Sequence, residues 1–223
     1  MSAYLDTYRS SRERILLLVR DLDDETASRP VPACPEWTCR DLVTHVASMP
    51  IAISVGDIPG EDGDDWIDSV LTANRSRSLD ELATAWRDAD EVLAAIIDGP
   101  GLALYYDLVV HEHDLRGALH RPGARAEPEV SMALQVSLDQ LDQRVRGAGL
   151  APLAVDVGDA VLRSHEGTPG CTITTDAWEA LRGLNGRRTV DELRALPHDG
   201  DLERYLDPVA ARFAFLTVSL DEV

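Results

Sequence analysis

Residues 104–118, LYYDLVVHEHDLRGA, constrain this chain more than any other stretch. Read as a helix, they carry Leu104, Leu108, Leu115 and Ala118 at the three-and-four spacing of one buried face. Asp107 and His111 lie on or beside that stripe, one turn apart. A carboxylate and an imidazole facing a core need a partner, because an unpaired buried charge is costly. A third polar group, His45, sits on the stripe Leu42, His45, Val46, Met49 of a second predicted helix. Three inward-facing donors on two helices can be reconciled with a core in two ways. They can share a divalent cation, or they can form a buried hydrogen-bonded network without one.

The rest of the pattern fits a mainly α chain. An amphipathic helix is predicted over 2–27, stopped by the proline-rich 29–35; a second starts at Trp37-Thr38, Thr38 being its N-cap with Asp41 three residues on. It ends near Met49-Pro50 or runs on through Ile53. The acidic 56–65 is expected as a solvated loop, lacking the register of a calcium-binding loop. Ser78 and Glu81 form a capping box for a third helix to about Ile97, with Leu82, Trp86, Ala89 and Leu93 inward. The fourth helix ends near His120-Arg121-Pro122, and a fifth spans about 128–146 with Val130, Leu134, Leu138 and Leu141 as its stripe. Long helices with short joins predict an antiparallel four-helix bundle over 1–148. Short strands at 153–157, 160–164 and 171–174, helices capped at Asp176 and Thr189, and a final helix or strand at 208–220 predict a small α+β domain over 149–223.

Composition narrows the function. A net charge of −19 argues against nucleic acid or an anionic membrane as partner. No run is long enough for a membrane span, no signal-peptide core precedes the first polar stretch, and three cysteines make no disulfide framework, so a cytoplasmic protein is expected. All 21 basic residues are Arg, a bias of GC-rich genomes.

CPEWTCRDLVTH, residues 34–45, resembles the CPxWTxxDLxxH signature of the mycothiol-dependent maleylpyruvate isomerase family of DinB-like metal-binding bundles. Asp107, His111 and Asp114 match that family's acid-x-x-x-His-x-x-Asp pattern, and GRRTVDEL at 186–193 with Gly200-Asp201 is similar to its C-terminal domain. The resemblance implies His45, Asp107 and His111 as metal ligands, zinc being the cation that suits two imidazoles and a carboxylate with a position left open. It also implies mycothiol or a similar thiol as co-substrate and a small electrophile as substrate, used by a monomer or homodimer for S-transfer or thiol-assisted cis–trans isomerisation. Two departures stand out: relatives usually have Glu at Asp107 and commonly Trp at His113. They keep open a non-catalytic ligand-binding bundle, or a biosynthetic enzyme with a repurposed cleft.

The remaining candidates have ordinary readings beside functional ones. Asp114 either orients a ligand histidine or is a helix-face charge. His113, about 200° round the helix from His111, cannot readily share its ion; it is a surface or rim histidine, or it lines the substrate pocket. A zinc-protease motif is excluded, since position 115 is Leu. Arg187, a candidate catalytic group, and Arg188 would bind a carboxylate of substrate or thiol cofactor, or be surface arginines. Cys34 and Cys39 flank a helix start without zinc-knuckle spacing and read as structural; Trp37 reads as an anchor for that helix. His120, His165 and His198 read as local stabilisers or surface residues.

Overall fold

The structure is a computed structural model that describes residues 2–60 and 63–222. Its first helix, α1 (Ala3–Val19), is shorter than the predicted 2–27. The chain leaves the helix at the Asp21–Asp24 run, and Asp23 caps a separate turn, α2 (Asp24–Ala27), by accepting the Thr26 N–H at 2.8 Å. Leu5, Tyr8, Ile15, Leu18 and Val19 are buried as expected of one apolar face, whereas Leu22, expected on the same face, lies past the helix end and is half-buried.

The proline-rich segment does more than stop a helix. It forms a small antiparallel hairpin, β1 (Pro30–Val31) with β2 (Cys34–Thr38), pairing Val31 with Cys34 and Pro30 with Thr38. Proline is tolerated on an edge strand that needs no amide donor there. The Cys39 N–H closes the hairpin onto the Arg29 carbonyl at 2.9 Å.

Helix α3 (Cys39–Ser54) starts from the predicted capping box of Thr38 and Asp41 and runs through Pro50 rather than ending there. Burial would raise the Asp41 carboxyl, but bonds from the Thr38 hydroxyl and amide and from Arg75 hold it below the usual carboxylate range. Its stabilisation is therefore present above that range and is lost as the pH falls. Asp41→Asn is expected to cost about 1 kcal/mol at neutral pH. In urea melts, its gap to the parent should close in acid, where both side chains are neutral.

Helix α4 (Gly63–Asn74) begins inside the stretch predicted as an acidic loop; Glu61 and Asp62 of that stretch lie outside the described residues. The predicted third helix is two, α5 (Leu79–Asp88) and α6 (Asp90–Ile96), parted at Ala89, although Leu82, Trp86, Ala89 and Leu93 are all buried as expected. Helix α7 (Leu102–Leu119) contains the opening stretch and ends at His120 in the left-handed conformation, φ 51°. Helix α3 packs against α4, α5, α6 and α7, and α1 packs along α7. The hairpin lies on both α3 and α7, which carry the candidate donors.

The chain forms two compact units, residues 1–123 with 222–223, and 124–221. Helix α8 (Pro128–Gly147), predicted as the last helix of the bundle domain, falls in the second unit. Its stripe of Val130, Leu134, Leu138 and Leu141 is buried as predicted, and it packs there against helices α9 (Ala177–Leu184) and α11 (Glu203–Ala210). An amphipathic pattern tells that a face is covered but not what covers it. The sheet of this unit runs in the order β4 (Val161–Arg163), β3 (Leu153–Asp156), β5 (Cys171–Thr174), β6 (His198–Gly200). Strand β3 is parallel to β5, and the outer pairs are antiparallel. Helix α10 (Val190–Ala195) starts from the Thr189–Glu192 capping box. The tail past α11 touches the unit through a Thr189–Leu216 bridge, so the last element is earlier and shorter than predicted.

Candidate metal centre

His45 enters from α3, and Asp107 and His111 from α7, one turn apart. The His45 Nε2 lies 2.9 Å from Asp107 Oδ2, and the His111 Nε2 lies 3.3 Å from Asp107 Oδ1. The two imidazoles thus converge on opposite oxygens of one carboxylate, with one donor atom from each of the three residues within 4.8 Å of the others. The short aspartate side chain reaches both rings. The histidine side chains are 5% and 8% exposed, whereas Asp107 is 34% exposed. The trio is closed around the imidazoles and open at the carboxylate.

Its electrostatics follow from that packing. Burial would raise the Asp107 carboxyl, yet His111 and His45 hold it far below the usual carboxylate range. Burial would lower the His111 imidazole, yet Asp107, Asp114 and Cys34 raise it well above its ordinary value. With both rings neutral, the Asp107 carboxylate leaves a negative charge that a cation would balance. The donor set, two imidazoles and a carboxylate with one open side, fits a divalent ion of the zinc type. Among the described residues, His45 Nδ1 is a buried ring nitrogen with no hydrogen-bond partner.

Asp114 lies behind His111, its Oδ2 2.9 Å from Nδ1, with its side chain fully enclosed. A neutral His111 with its proton on Nδ1 would donate it to this carboxylate and keep the Nε2 lone pair for a metal. Of its two readings from sequence, the geometry is that of the orienting acceptor. Asp114→Asn is expected to weaken metal binding 10- to 100-fold without emptying the site at saturating metal, as measured by competition with a chromophoric chelator.

Two residues read as structural stand at the centre. The Trp37 ring lies over both imidazoles, with centroids 4.6 Å from His45 and 5.6 Å from His111. The Cys34 Sγ is 3.6 Å from Asp114 Oδ2. Both come from β2, whose fold the proline pattern hid. The signal that could have found them is the chain order itself, a strand-length spacer leading directly into the histidine helix.

The other candidates are placed differently. His113 is 4% exposed, so it is neither a surface nor a rim residue. Helix α7 is buried on nearly every side, which makes its back face interior too. Arg187 and Arg188 are also buried, not surface arginines, and lie in the second unit. The Arg188 fork grips Glu179 at 2.7 and 2.8 Å, and its guanidinium stands 5.0 Å from the Trp178 ring centre. Arg187 donates to the Asn185 carbonyl at 2.7 Å. Of the remaining histidines, His165 lies 3.0 Å from Asp142 and 3.1 Å from the Ser164 hydroxyl, both through Nδ1, which rules out a serine triad there.

Two histidines and a carboxylate on the inward faces of two helices make a donor set that could hold a metal ion. Residues 8–116 match the family model of the mycothiol maleylpyruvate isomerase N-terminal domain. The crystal structure of a histidine-to-alanine mutant of the mycothiol-dependent maleylpyruvate isomerase is similar, with a TM-score of 0.52 and 12% identity, covering 88% of this chain and 91% of that one. The fold is thus the DinB-like bundle with a small α+β partner, as the sequence predicts. Comparison with curated proteins finds no match. Among the described residues no helix is long and apolar enough to cross a membrane.

Proposed function

We propose that this chain is a metal-dependent enzyme that uses a low-molecular-weight thiol of the mycothiol type on an electrophilic small molecule, by cis–trans isomerisation or S-transfer. The observation that carries this reading is the convergence of the His45 and His111 Nε2 atoms on Asp107. The matching domain family and the similar structure, both of mycothiol maleylpyruvate isomerases, support a thiol co-substrate.

A zinc-type ion held by His45, Asp107 and His111 would supply a cation that keeps a thiol deprotonated at neutral pH. The chain's own residues do the rest. Asp114 fixes the His111 tautomer, and Trp37 packs against both rings. Asp107, the exposed member, marks the side from which thiol and electrophile approach. A thiolate added to an activated alkene leaves a single bond about which the adduct turns before the thiolate departs, giving the isomer. Displacement of a leaving group instead gives the conjugate. Arg187 and Arg188, in the second unit, are proposed to bind a carboxylate, for which Arg188 would exchange Glu179. The proposed setting is the cytoplasm, in keeping with three free cysteines.

Elemental analysis of protein purified without chelator or metal-affinity resin is the test, followed by turnover of electrophiles with and without thiol. About one divalent ion per chain and strictly thiol-dependent conversion are expected. A chain that cannot be loaded with zinc, nickel, cobalt or manganese overturns the proposal.

A further inference from the structure

His111 belongs to two donor clusters, one on each edge of its ring. Its Nε2 faces Asp107 and His45, while Nδ1 faces Asp114 at 2.9 Å, beside the Cys34 sulfur. One donor atom each from Cys34, His111 and Asp114 lies within 4.8 Å of the others. The Cys34 sulfur is 3.6 Å from Asp114 Oδ2, within the reach of two ligands on a common cation. Asp114 and His111 are buried, whereas Cys34 is half-buried, so this second cluster is reached past the sulfur.

We propose that Cys34, Asp114 and the Nδ1 edge of His111 form a second site, for a thiophilic cation of the cadmium or mercury class, whose occupation excludes an ion from the first. Its donors differ from those of the first trio in the one respect that selects metals: a thiolate prefers soft cations, whereas imidazole and carboxylate suit zinc, cobalt or nickel. Exclusion follows from the ring. A neutral imidazole has one N–H and one lone pair. When the lone pair is on Nε2, Nδ1–H donates to Asp114 and the first trio is complete. When a soft cation takes the Nδ1 lone pair, the proton sits on Nε2 and is donated to Asp107 at 3.3 Å. Binding there releases the Cys34 thiol proton to solvent, and no electron is transferred. The site makes the enzyme proposed above open to poisoning by soft metals, but it stands on its own donors.

The test is titration of the full-length protein with cadmium alone, read by ultraviolet thiolate-to-cadmium absorption. The parent should develop the band to saturation at about one cadmium per chain. Cys34→Ser should lose it, and His45→Asn, which disables only the first trio, should keep it. Cys39 and Cys171 are almost fully enclosed and their thiols are pushed up by burial, Cys171 to about 11, so the band reports Cys34. In protein preloaded with cobalt, cadmium should displace the cobalt as the band grows. No band in the parent, a band that survives in Cys34→Ser, or a folded His45→Asn without one overturns the site. Cobalt and cadmium held together overturn the exclusion. If the chain takes up no cobalt yet the cadmium band behaves as described, the proposed enzyme falls and the soft-metal site stands.

Discussion

Replacing His45 and His111 together by alanine is expected to reduce bound divalent metal from about one ion per chain to none, and thiol-dependent turnover to background. Both Nε2 atoms point at Asp107, so the double substitution removes two of the three donors and leaves one carboxylate. The half-buried carboxylate left behind has an open side through which it can be solvated, so the fold should persist with only modest loss of stability. Elemental analysis with a far-ultraviolet helix signal checks both halves. If the parent holds no metal and the double variant unfolds, the three side chains are a hydrogen-bonded core network.

Glu112→Ala should have the opposite profile, costing about 3–5 kcal/mol of stability with no change in metal content of the folded protein. Glu112 is 1% exposed and ties α1 to α7. Arg14 grips both its oxygens at 2.8 Å, Arg116 holds Oε1 at 2.8 and 3.0 Å, and the Ser11 hydroxyl donates at 2.5 Å. Removing the carboxylate strands two arginines that are largely enclosed. Burial alone would raise the Glu112 carboxyl, but Arg14, Ser11 and Arg116 outweigh it and hold the group below its ordinary value. Its contribution is therefore complete above the usual glutamate range and fades as the pH drops. Urea unfolding should show the gap between Glu112→Ala and the parent narrowing in acid; a gap under about 1 kcal/mol at neutral pH would mean the arginines are adequately solvated without it.

The sequence made the centre legible because helical spacing and motif pointed to the same three residues. Asp107 and His111 are neighbours by periodicity alone, whereas His45 reaches them through packing that only its stripe foreshadowed. What surrounds the trio was harder to see. Glu112, His113 and Asp114 are polar residues in a helix buried almost all round, and reading one apolar stripe assigns the other faces to solvent. The hairpin carrying Cys34 and Trp37 was masked by prolines that forbid a helix but permit a short edge strand. Helix α8 was predicted in place and in its buried face, yet assigned to the bundle because amphipathicity does not name its partner. The break at Ala89 has no residue signal, since alanine is the best of helix formers.

The Trp37 indole resting on both imidazoles equips the molecule with an optical gauge. Indole emission is sensitive to contacts of that kind, and paramagnetic copper or cobalt arriving beneath the ring should dim it in proportion to occupancy. Trp86, hydrogen-bonded to Tyr8, has no ring contact with either histidine among the described residues and should stay bright. A Trp37→Phe chain would fluoresce without responding, turning one tryptophan into a direct meter of how full the pocket is.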